Sequence, residues 1–240
     1  MNFSRTPGAG LLALSMTVGG AQAQSALNEI LSGGVLKVGT TGDWNPMTMK
    51  DPATDSYRGY DIDILTVLGK DLEVELEFVA TDWKTLVNGI VAGKYNMTGS
   101  ASVSPSRMKV AGYSESYISV HFLPFTTSDK VGNYDGWDAI NNPDVKVATT
   151  LGTSFEKFVR EWFPEADIKV VEAPARGYQE VLAGRADVFI TSNIEGATLT
   201  EKFPQVAAIA VDAPRSPTPI AMLLPQTDQV WINYVNSWIK

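Results

Sequence analysis

One pattern occurs twice along this 240-residue chain: short β-rich runs alternating with amphipathic helical segments. In the first copy, residues 35–39 read as a strand that leads into a polar turn at 40–43. Residues 60–72 follow as a helix with Ile62, Leu65 and Leu68 on one face, then a strand at 74–79. A second helix covers 83–92, with Leu86, Val87 and Ile90 inward and Gly93 at its C-terminal end. The second copy runs through a strand at 145–149, a helix at 155–163 and a strand at 168–172. It continues with a helix at 177–183 closing at Gly184, a strand at 186–191 and a helix at 194–203. Alternation of this kind selects an α/β architecture with largely parallel sheets. Extended runs at 120–128 and 213–224 carry the chain from one copy to the other and back. The expected fold is therefore two α/β lobes joined by a two-stranded hinge, with a ligand cleft between them.

The first 23 residues belong to a different pattern. Arg5 supplies a positive start, 11–18 is a short apolar run, and Ala21-Gln22-Ala23 is a small-x-small cleavage site before Gln24. The run is too short to span a bilayer. Glycines 8, 10, 19 and 20 flank it and would interrupt a longer N-terminal helix, which argues against a buried one. Residues 1–23 are read as a secretory leader cleaved after Ala23, which directs the protein to the periplasm. The remaining chain divides into one lobe of residues 24–122 plus 219–240 and a second of 123–218.

Composition narrows the chemistry. Removing the leader takes away Arg5 and no acid, so nineteen basic residues fall to eighteen against 27 acidic ones, a net charge of −9. An acidic chain without a basic stretch argues against nucleic acid or an anionic membrane surface as partner. With no cysteine there is no disulfide, no thiolate chemistry and no cysteine-based zinc site. No metal or other cofactor is expected. His121, the single histidine, sits in the apolar run 118–125, where a packed strand histidine explains it better than a catalytic base.

The segment 96–107, Asn-Met-Thr-Gly-Ser-Ala-Ser-Val-Ser-Pro-Ser-Arg, carries the most chemistry. Hydroxyls at Thr98, Ser100, Ser102, Ser104 and Ser106 precede the guanidinium of Arg107. A planar fork that grips both oxygens, with short adjustable donors beside it, suits a carboxylate. The same residues also fit a polar turn, with Ser104 or Ser106 capping a helix and Arg107 in a surface ion pair. Asp61 and Asp63 are two apart on a helix and face different sides, so they do not form a paired-carboxylate site; capping explains one of them.

Taken in order, a set of segments has a recognisable spacing. They are Gly-Val-Leu-Lys-Val-Gly-Thr-Thr-Gly-Asp-Trp-Asn-Pro (34–46), Gly-Tyr-Asp-Ile-Asp (59–63) and Asp-Trp-Lys-Thr-Leu (82–86). Ser-Pro-Ser-Arg (104–107), Tyr-Ser-Glu-Ser-Tyr (113–117), Gly-Thr-Ser-Phe-Glu-Lys-Phe (152–158) and Gly-Arg-Ala-Asp-Val-Phe-Ile-Thr-Ser-Asn-Ile-Glu (184–195) follow. Over 27–240 the chain resembles the bacterial extracellular solute-binding proteins of family 3, the periplasmic receptors of amino-acid ABC transporters. The Gly-Thr-Thr-Gly-Asp-aromatic opening and the Ile-Glu at 194–195 resemble the branch that contains cyclohexadienyl dehydratase.

The resemblance implies that Ser100, Ser102 and Arg107 hold a ligand carboxylate from one lobe while the turn with Thr153 and Ser154 closes from the other. Trp44 and Trp83 match the positions that sandwich the ligand body, a wall suited to a ring or a cation. Ser192 stands where such receptors carry an acid for the ligand ammonium, and Thr41 where many have Asp. It is carried over as a ligand contact, but without both acids a standard α-amino acid would leave a buried charge poorly paired. The expected ligand is a small carboxylate without a free amine, or one whose cation meets the indoles. Arginine, lysine and glutamine are not expected.

Glu195 matches the catalytic glutamate of the dehydratase branch, where a carboxyl raised by apolar surroundings protonates a departing hydroxyl. Its place in the first turn of a helix is equally what the dipole favours, with Ser192 or Asn193 as N-cap. Ser192 and Asn193 replace the Asp-Ala of that branch, and placement in such chemistry is critical to about half an ångström. A monomeric receptor delivering its ligand to a membrane permease is therefore preferred, with prephenate or arogenate dehydratase activity as the alternative. The family normally continues beyond 233–240 through another helix, which implies a fragment.

Overall fold

The computed structural model describes residues 24–240. The leader, with its cleavage after Ala23, lies outside the described residues. In the first lobe, strand Val35–Thr40 runs parallel to Glu75–Ala80 on one side and to Met97–Thr98 on the other. Leu36 and Val38 share the face that packs into the lobe core and are both fully buried, while Lys37 between them points to the other face and is exposed. Helix Tyr60–Asp71 turns Ile62, Leu65 and Leu68 inward, and Leu65 and Leu68 join Leu36, Val38, Met97 and Trp231 in one core. Its start is fixed by Gly59 at φ 126°, where a methyl group would come within 2.6 Å of the Pro46 and Met47 carbonyl oxygens.

The second lobe repeats the arrangement. Strand Lys146–Thr150 lies between Asp167–Val171 and Val188–Ser192, all parallel. Helices Ser154–Trp162, Gly177–Leu182 and Asn193–Lys202 follow successive strands. An aromatic core fills this lobe, with Phe122 against Phe155 at 4.6 Å between ring centres and against Phe158 at 5.1 Å.

Two ten-residue strands join the lobes. Ile118–Thr127 pairs antiparallel with Val188–Ser192 through Phe122–Phe125, while its start pairs with Arg215–Leu224. Arg215–Leu224 in turn pairs with Ser100–Ser102 of the first lobe through Ile220–Met222. A register shift between Arg215 and Thr218 marks a bulge where the two strands cross. The lobe boundaries expected at 122/123 and 218/219 fall inside these strands.

Most element limits move by one or two residues from expectation; two features differ more. The helix expected from 83 begins at Leu86, because the Asp82 carboxylate accepts from the Thr85 amide (2.7 Å) and hydroxyl (2.8 Å) and holds Trp83 in a turn. The turn at 40–43 opens into a small antiparallel sheet of Asp43–Trp44, Thr48–Lys50 and Tyr57–Arg58, which presents Asp43 and Trp44 to the cleft.

Candidate functional site in the interlobe cleft

Seven of the residues expected at the site surround one small chamber of about 20 Å³. Trp44, Trp83, Ser100, Ser102 and Arg107 come from the first lobe, Thr153 and Ser154 from the second. The lobes touch directly here: Ser102 Oγ lies 3.0 Å from Ser154 Oγ, and Arg107 Nη2 donates to the Gly152 carbonyl at 3.3 Å. Gly152, at φ 78°, rests against the opposite lobe so closely that a methyl group on it would sit 2.6 Å from Lys84 Cα and N.

Arg107 belongs to the four-residue helix Pro105–Met108, whose N-cap is Ser104, accepting from the Arg107 amide at 3.4 Å. Its guanidinium is half-buried, and its Nη1 donates to the Ser102 carbonyl at 3.2 Å. No acid pairs with it among the described residues. Facing it, Thr153 caps helix Ser154–Trp162 by accepting from the Glu156 amide at 3.2 Å. A guanidinium and a helix N-terminus thus meet across the cleft, both favouring negative charge. Trp44 Nε1 is a further buried donor, without a partner among the described residues.

Ser100 is held from behind. Its amide donates to Asp61 Oδ2 at 2.8 Å, its hydroxyl bonds the same oxygen, and Tyr117 Oη donates to Oδ1 at 2.8 Å. Asp61 is only 4% exposed, and burial pushes its carboxyl above the usual aspartate range against the pull of these donors. Asp61, set aside in the sequence, is thus the support on which Ser100 stands. Trp44 and Trp83 meet edge to face, 6.2 Å between centres at 76°.

A second group lies past Trp83, whose Nε1 donates to both oxygens of Asp43 at 2.9 and 3.0 Å. Arg176 of the second lobe reaches across to Asp43 at 3.5 Å and pairs with Glu195 at 2.7 Å. Thr191 Oγ1 also donates to Glu195 Oε2. Glu195 is 2% exposed; burial pushes its carboxyl up, while Arg176 and Thr191 draw it back. Glu195 lines a larger cavity of about 420 Å³ with Asp43 and Arg176, not the chamber at Arg107. Ser192 does not line the chamber either: it is fully buried and caps helix Asn193–Lys202, accepting from the Glu195 amide at 3.1 Å. Thr41 and Ser192 carry no acid, as read from the sequence, but Asp43, two residues beyond Thr41, adds a carboxylate to that of Glu195, and both are matched by Arg176.

Two α/β lobes joined by two strands, with polar groups facing inward from both, form an interlobe cleft of the kind in which small ligands are bound. Residues 36–240 match the bacterial extracellular solute-binding proteins, family 3, and the chain belongs to that family. It is 28% identical over 217 residues to cyclohexadienyl dehydratase of Pseudomonas aeruginosa, a match spanning 90% of this chain and 80% of that protein. The solved structure of an ancestral amino acid-binding protein, a precursor of cyclohexadienyl dehydratase, is 32% identical with a TM-score of 0.82, covering 90% of this chain and 92% of that one. An ancestral cyclohexadienyl dehydratase is 39% identical, covering 91% and 90%, with a TM-score of 0.53.

Proposed function

We propose that this protein is a periplasmic receptor that closes on a small carboxylate and delivers it, as a monomer, to an ABC-transporter permease. The observation that carries the reading is Arg107. A half-buried guanidinium without an acid partner among the described residues, set against a helix N-terminus from the other lobe, is arranged for an anion. Ser102, Ser154 and the Trp44 indole supply further donors around the same chamber. Because Asp43 and Glu195 already share Arg176, the ligand is a carboxylate without a free amine, or one whose cation rests on the indoles.

A thermal-shift screen of small carboxylates identifies the ligand, since saturation at 100 times Kd adds about 2.7 kcal/mol to stability. With that ligand, Arg107→Ala should lose at least about 2 kcal/mol of binding by calorimetry, the usual cost of a buried charge-assisted contact. Wild-type affinity in Arg107→Ala would rule out this anchor.

The dehydratase alternative is supported by the likeness to cyclohexadienyl dehydratase and by Glu195, a buried acid in the cleft with its carboxyl raised. Donating a proton would require it to leave the charged form that Arg176 Nη2 and Thr191 Oγ1 both stabilise. Incubation with prephenate or arogenate separates the readings. The receptor reading expects no turnover above the spontaneous rate; turnover that vanishes in Glu195→Gln would establish the enzyme.

A further inference from the structure

Arg176 sits where local electrostatics disfavour it. It is the N-cap of helix Gly177–Leu182, so its positive charge faces the positive end of the helix dipole. The reason for its place is therefore tertiary. Its amide is held by Gln179 Oε1 at 2.8 Å, and Gly177 packs so tightly on Ala148 that a methyl group there would lie 2.9 Å from the Ala148 carbonyl oxygen. Backbone and start of helix are thus fixed, and the side chain runs into the cleft with its guanidinium 7% exposed.

There it meets one carboxylate from each lobe, Glu195 of its own and Asp43 of the other. Besides these two acids, the titratable group against it is Tyr178. Asp43 also takes the indole N–H of Trp83, a wall of the Arg107 chamber. A ligand anchored at Arg107 and extending past Trp83 would arrive with its far end at Asp43 and Glu195. That is where the cation of a basic amino acid would be received, and the position is filled by a guanidinium of the protein itself.

We propose that Arg176 is a built-in counter-cation that sets specificity: by occupying Asp43 and Glu195 it closes the cleft to ligands bearing a cationic far end. Without it, two buried carboxylates remain unpaired, and an added guanidinium or ammonium is the group that relieves them. The proposal deepens the receptor reading and relies on it only for the second anchor at Arg107.

The test uses Arg176→Ala with L-arginine, L-lysine and agmatine, the decarboxylated form of arginine, followed by calorimetry and thermal shift. Wild type should bind none of the three at millimolar concentration. Arg176→Ala should gain binding of L-arginine or L-lysine by at least about tenfold, with its melting temperature restored by the ligand. Adding Asp43→Asn and Glu195→Gln together should abolish the gain. Should Arg176→Ala not fold, Arg176→Ala/Glu195→Gln, which leaves Asp43 alone unpaired, takes its place and must show the same gain. Binding by wild type as tight as by the variant, no gain in either variant, or a gain that survives loss of both acids would overturn the assignment. Agmatine distinguishes the two proposals: if it gains as much as L-arginine, the Arg107 anchor fails while the role of Arg176 stands.

Discussion

Replacing Asp61 by alanine removes the acceptor of three buried donors at once: the Ser100 amide, the Ser100 hydroxyl and the Tyr117 hydroxyl. The amide is fixed in strand Ser100–Ser102 and has nowhere to turn, so it bears a full unsatisfied-donor penalty of about 2 kcal/mol. Each hydroxyl can rotate towards the other, 3.2 Å away, and loses about 1 kcal/mol. The sum is about 4 kcal/mol, a large part of the stability of any single domain. Asp61→Asn keeps an acceptor for the amide and, being neutral, avoids the desolvation that raises the carboxyl, so its cost should be about 1 kcal/mol. Because the folded carboxyl is raised, its contribution to stability is complete below the ordinary aspartate range. It is lost as pH rises through the folded value, a slope that Asn should abolish. Urea denaturation at several pH values, followed by tryptophan fluorescence, measures all three quantities. A cost for Ala below about 1.5 kcal/mol, or equal costs for Ala and Asn, would show that this network does not hold Ser100 as described.

Ser192→Ala should cost about 1 kcal/mol of stability through loss of the helix cap, and should shift the tryptophan signal by loosening Glu195 beside Arg176. Arg185 and Lys169 hold the Glu180 carboxyl down to about 2. Its stabilisation is present above the ordinary glutamate range and lost as pH falls towards 2, so Glu180→Gln should flatten the acid limb of a stability–pH curve. Secreted protein should begin at Gln24 by mass spectrometry; material that retains 1–23 would contradict the cleavage site.

The elements that repeat were legible because each imposes a period. Leu65 and Leu68 mark their helix by spacing alone, and both lie in the core. One side of the chamber was legible for a different reason: Ser100, Ser102 and Arg107 are close in sequence, so local spacing places them close in space, whereas Trp44, Trp83, Thr153 and Ser154 came only from the family resemblance. Arg176 was not legible in that way. Its partners are 133 and 19 residues away, and nothing around it repeats. One signal did exist, a lone arginine immediately before a helix, where a cation is locally unfavourable. Such violations of local preference tend to mark functional positions. Ser192 shows the converse, since a serine three residues before Glu195 is a sufficient cap and needs no ligand to explain it. Asp61 escaped because an acid in the first turn of a helix is already explained by the dipole.

Gly152 gives this cleft a gauge that is blind to chemistry. Its bare backbone is what lets the two lobes meet at Lys84, so any side chain at 152 acts as a doorstop. A doorstop lowers the fraction of molecules able to close, and every ligand weakens by that same factor, whatever it carries. If Arg107 and Arg176 choose the solute as proposed, affinity and selectivity are written at different addresses, with position 152 setting the concentration at which the solute is held.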